Sequence, residues 1–84
     1  MKQIPEWSVN SAGTQISRTF VMGSFVSGLA FVAKIAVHAE VLEHHPDIEL
    51  TYSRVKVKLS THDAKGLTAL DFDLAKRIDE ITPH

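Results

Sequence analysis

Residues 25–59 read FVSGLAFVAKIAVHAEVLEHHPDIELTYSRVKVKL, and this stretch decides the fold. Its first part, Phe25 to His44, is apolar at the 3.6-residue spacing of a helix. Phe25, Leu29, Val32, Ala36, Ala39 and Leu42 are expected to face the core, while Val26, Ala30, Ala33, Val37 and Val41 line a second apolar face. Ser27, Lys34 and His38 form a thin polar stripe between the two. Ser24 is placed to cap the start. Pro46 ends the helix, because the residue before a proline avoids the α region. Ile48 to Tyr52 then reads as a strand. Val55, Val57 and Leu59 alternate with Lys56, Lys58 and Ser60, the pattern of a half-buried strand with one wet face.

Outward from this stretch the pattern repeats. Upstream, Trp7 to Val9 and Thr14 to Val21 are two strands joined by the turn Asn10-Ser11-Ala12-Gly13; Ile16, Arg18 and Phe20 share one face. Downstream, Thr61 to Gly66 is a loop. Thr68-Ala69-Leu70-Asp71 has the form of a capping box opening a helix Ala69 to Ile81, which buries Leu74, Ala75, Ile78 and Ile81. The order is β-β-α-β-β-α. Short connections make each strand pair antiparallel, so the expected fold is α+β: a four-stranded antiparallel sheet with two helices on one face, one domain over residues 1–84.

Composition narrows the function. With 84 residues, 44% hydrophobic and 23% charged, the chain has ordinary globular composition and a small core. A net charge of −1 gives no basic surplus for nucleic acid or an anionic membrane. The absence of cysteine excludes disulfides and thiol-based metal sites. No apolar run near Met1 has the form of a signal peptide. A membrane span needs ~20 mostly apolar residues, and the apolar stretch from Phe25 to Leu42 carries Lys34, His38 and Glu40, so it reads as a buried helix. The expected location is the cytoplasm. A helix apolar on most sides in so small a protein wants a second covering surface, and self-association supplies one.

The side chains that carry chemistry are Glu40, Glu43, His44, His45, His62 and Asp71. His44 and His45 stand at a helix end, and His62 stands at a strand end. Three imidazoles near loops supply acid and base around neutral pH. Each also has a plainer reading: His44 complements the helix dipole, His45 and Glu40 are solvated, His62 is an exposed loop residue, and Asp71 is a cap. A three-histidine zinc site is disfavoured, since adjacent residues diverge by ~100° on a helix. No metal is expected.

Together, Glu40-x-x-x-His44-His45-Pro46, Tyr52, Val55-x-Val57-x-Leu59-x-Thr61-His62 and Gly66-Leu67-Thr68-x-x-Asp71 resemble the pterin-4a-carbinolamine dehydratase family. Trp7, Phe20, Phe25 and Phe31-Val32-Ala33 extend the resemblance over nearly the whole chain. The family fold agrees with the pattern read above, with the family's usual additional helix before the first strand absent. The resemblance implies a hydro-lyase that removes water from a 4a-hydroxytetrahydropterin to give a quinonoid dihydropterin, in tetrahydrobiopterin recycling beside an aromatic amino acid hydroxylase.

By the same resemblance His44, His45 and His62 are the catalytic residues, with Glu43, His45 and Asp71 contacting substrate. Glu43 is expected to hold an imidazole in its tautomer. No cofactor is implied. The implied partners are the pterin and further copies of the chain, as a homodimer or homotetramer. The alternative the family offers is a non-catalytic interaction or dimerisation cofactor, or a pterin-binding protein.

Overall fold

In a computed structural model, which describes residues 6–61 and 66–82, the six elements follow in the expected order. They are β1 (Ser8–Val9), β2 (Ile16–Val21), α1 (Phe25–Leu42), β3 (Asp47–Leu50), β4 (Arg54–Leu59) and α2 (Ala69–Ile81). The four strands form one sheet in the order β1-β2-β4-β3, antiparallel throughout. The central pair β2–β4 joins the two hairpins, with Ile16 opposite Leu59 and Phe20 opposite Val55. Strand alternation sends Ile16, Phe20, Val55, Val57 and Leu59 to one face, where all five are buried. On the wet face Lys58 reaches Glu49 of β3 at 2.8 Å. This pair lowers the Glu49 carboxyl and raises the Lys58 ammonium from their ordinary ranges, and both lie open to solvent screening.

The core lies between this sheet and the two helices. α2 contributes Leu74, Ala75 and Ile78, as its periodicity predicts, with Ile81 partly buried. Ser24 caps α1 as expected, its hydroxyl accepting from the Ser27 N–H at 3.1 Å. Trp7 anchors the first strand: its indole N–H donates to Asp79 of α2 at 2.9 Å, and its ring meets Phe20 edge-on. Arg18 bonds the same Asp79 oxygen at 2.7 Å and lies over the Phe20 ring.

The face that α1 buries differs from the one its hydrophobic residues suggest. The buried row is Gly28, Phe31, Ile35 and Ala39, with Val32 and Leu42 partly covered. Phe25, Leu29 and Ala36, expected inside, are exposed. The helix is thus rotated by about 65° from the expected phase, given 100° per residue. Gly28 explains the choice. A Cβ there would sit 2.8 Å from Leu50 Cδ1 and 3.4 Å from Val55 Cγ2, so the missing side chain lets α1 lie close to the sheet. A reading of apolar side chains assigns glycine no weight, and a helix apolar all round sets no phase of its own.

Nor is α1 the buried helix the sequence suggests. Only four of its 18 residues are buried, and Val26, Val37 and Val41 are each more than 60% exposed. Its outer face is an apolar surface with nothing over it among the described residues.

The packing predicts a contrast. Ile35→Ala costs about 2–5 kcal/mol in urea unfolding, whereas Leu29→Ala costs no more than about 1 kcal/mol. Equal losses would return Leu29 to the core.

Candidate functional site

The site grows from the end of α1. The helix stops at Leu42, two residues sooner than the periodicity suggests, because Glu43 takes the left-handed conformation at φ 50°, ψ 41°. The His44 N–H then reaches the Ala39 carbonyl at 3.0 Å, and the Glu43 N–H reaches that of Glu40 at 3.2 Å. These two bonds make a Schellman turn, normally closed by glycine. With the helix ended, His44 and His45 lie on irregular backbone, and their side chains take different partners. His44 is therefore not the last-turn histidine of the dipole reading.

His44 turns inward. Its side chain is 11% exposed, and its Nε2 lies 2.6 Å from Asp71 Oδ1 of α2. Asp71 is fully buried. Its other oxygen, Oδ2, accepts from the Thr61 hydroxyl at 2.7 Å and from the Thr68 N–H at 2.9 Å. The Thr68 bond is the return half of the expected capping box, so the carboxylate caps α2 and holds His44 at once. Isolated burial of a carboxylate costs several kcal/mol, and here three donors offset that cost.

A carboxylate only accepts, so the proton shared by the two belongs to His44 Nε2. This leaves Nδ1 to take or give a proton.

His45 turns outward. It pairs with Glu40, and both side chains are mostly exposed. Glu43, expected to hold an imidazole, is exposed and bonds neither ring; Asp71 and Glu40 hold them instead. Asp71, for its part, is closed to solvent and acts on the site through His44. His62 lies outside the described residues. Its neighbour Thr61 is fixed, pairing with Gly66 through both backbone groups at 3.1 and 3.3 Å.

Among the described residues, no three His, Cys, Asp or Glu side chains cluster as a metal site requires. An open cavity of about 540 Å³ lined by Arg18, Phe20, Met22, Ser27, Phe31 and Lys34, among others, includes neither His44 nor His45. The sequence pattern points to Asp71 and Glu40 as candidates but not to which imidazole each would hold. That pairing depends on the left-handed turn at Glu43, for which glutamate gives no signal.

A left-handed non-glycine residue costs on the order of 1 kcal/mol. Glu43→Gly should therefore raise stability by about that amount in chemical unfolding, and a loss of similar size would show that Glu43 makes a contact that outweighs the strain.

Comparisons with known proteins identify the family. The family model for pterin 4 alpha carbinolamine dehydratase matches residues 1–81. A Chloroflexus aggregans protein with a provisional pterin-4-alpha-carbinolamine dehydratase name is 48% identical over 81 residues, covering 96% of this chain and 85% of that protein. A Roseiflexus castenholzii protein, provisionally named likewise, is 54% identical over 69 residues, 82% of this chain and 74% of that one. Among solved structures, a transcriptional coactivator/pterin dehydratase from Brucella melitensis superposes with a TM-score of 0.91 at 33% identity, covering 98% of this chain and 87% of that one. A pterin dehydratase-like RuBisCO assembly factor of the α-carboxysome shares the fold at a TM-score of 0.77 and 20% identity, with coverage of 92% and 89%. The chain belongs to the pterin 4 alpha carbinolamine dehydratase family.

Proposed function

We propose that the protein dehydrates a 4a-hydroxytetrahydropterin to the quinonoid dihydropterin, with His44 as an acid–base group. The observation that carries this reading is the His44–Asp71 pair, largely shielded from solvent and held at 2.6 Å, in a chain of this family. The reaction breaks the C4a–O bond and removes the proton from N5. Hydroxide leaves poorly, so an acid protonates it as the N5 lone pair expels it. The electrons lost from N5 remain in the new C=N bond, and one water departs. No net oxidation occurs.

In this reading Asp71 keeps the His44 Nε2–H in place, so Nδ1 faces the reacting atoms in a single tautomer. A positioned imidazole of this kind is worth about 10²–10⁴-fold. His62 acts as the second acid–base group, and His45, oriented by Glu40, binds the pterin. Glu43 beside them lies at the rim.

The test is dehydration of a 4a-hydroxytetrahydropterin produced by a coupled hydroxylase. The protein accelerates it, His44→Ala lowers the rate at least tenfold with the circular dichroism spectrum intact, and His38→Ala on α1 leaves it unchanged. A folded His44→Ala variant at full rate removes His44 from the mechanism.

The outer face of α1 favours a second reading beside catalysis, in which this surface binds a further copy of the chain. Phe25, Val26, Leu29, Val37 and Val41 are all exposed there. Lys34 and Glu40 lie three residues either side of Val37 with opposite charge. An antiparallel pair of helices centred on Val37 sets each lysine against a glutamate and buries the valines. Val37→Asp should halve the mass measured by light scattering, or reduce it further. An unchanged mass would place the contact elsewhere.

A further inference from the structure

The network behind Asp71 ends in a residue with no role in the reaction as described. Asp71 only accepts, so the Thr61 hydroxyl must donate its single proton to Asp71 Oδ2 at 2.7 Å. The Thr61 oxygen lies 2.9 Å from the Thr68 hydroxyl. With its own proton committed, Thr61 accepts there and Thr68 donates. The hydrogen bonds therefore run one way: Thr68 to Thr61, Thr61 to Asp71, with His44 donating to Asp71 from the other side.

We propose that Thr61 is a positioning residue for the His44–Asp71 pair: its hydroxyl locks the carboxylate so that Oδ1 stays on the His44 Nε2–H. This rests on the dehydratase reading for its functional consequence and on the hydrogen-bond geometry for its physical one. Three features favour Thr61 over the other donors. Its backbone is pinned on both sides by Gly66. Its hydroxyl is oriented by Thr68. It is also joined to His62 by one peptide bond. The Thr68 N–H is bound to the same oxygen, but it belongs to the helix start and cannot be removed by a side-chain change. Of the ionisable groups at this end of α1, Glu40 and His45 are paired with each other, and Glu43 bonds neither ring.

The experiment compares the wild-type chain with Thr61→Val and Thr61→Ser by proton NMR and by pterin dehydration. A His N–H bonded to a buried carboxylate gives a far-downfield resonance. Thr61→Val removes the hydroxyl while keeping the shape. The His44 Nε2–H signal should then move or broaden, and kcat should fall about tenfold with KM within about twofold. Thr61→Ser restores both. If the valine variant does not fold, Thr61→Cys, with a weaker donor, should change the signal in the same sense. A folded valine or cysteine variant with the wild-type resonance and kcat overturns the proposal. A signal that responds in a chain without dehydratase activity leaves the positioning intact and overturns the catalytic reading instead.

Discussion

The buried carboxylate of Asp71 is the constraint on which the rest of the site depends. A full negative charge with no exposed surface survives in a small core only if donors surround it. Three segments supply them: the chain just beyond β4 through Thr61, the start of α2 through Thr68, and the turn after α1 through His44. Losing one donor leaves the charge partly unpaired, so the three segments are held in one relative position. The geometry needed to orient an imidazole and the geometry needed to close this end of the fold are the same. In the proposed reading, stability and function are coupled at a single group.

The cost of the arrangement is visible at Glu43. To bring His44 back onto Asp71 the chain leaves the helix through a left-handed glutamate, where glycine would be unstrained. Strain of this kind is retained where surrounding contacts over-determine it. Here the Schellman bonds to Ala39 and Glu40 and the His44–Asp71 hydrogen bond beyond them do so. The same turn releases His45 outward, so two adjacent histidines serve two different partners.

Much of this was legible in the residues alone. The alternation of Val55, Val57 and Leu59 marks β4, and the box at Thr68 and Asp71 gives the start of α2 to the residue. The spacing of His44, His45 and Asp71 marks them as candidates through the family likeness. What the residues did not show has physical reasons. The phase of α1 hinges on Gly28, whose contribution is a missing side chain, and a helix apolar on every side fits several rotations. The pairing of Asp71 with His44 crosses 27 residues and needs the unsignalled turn at Glu43. The capping role of Asp71 was readable because it is local; its hold on the imidazole was not, because it is tertiary.

The central claim is that His44, steered by Asp71, meets the pterin. It is tested most directly by titrating the isotope-labelled protein with an oxidised, unreactive pterin and following the ring signals of its histidines. The account predicts that the His44 and His45 signals move together and saturably, while residues of the cavity lined by Arg18, Phe31 and Lys34 stay unmoved. Shifts confined to that cavity, with the His44 ring unaffected, would contradict it.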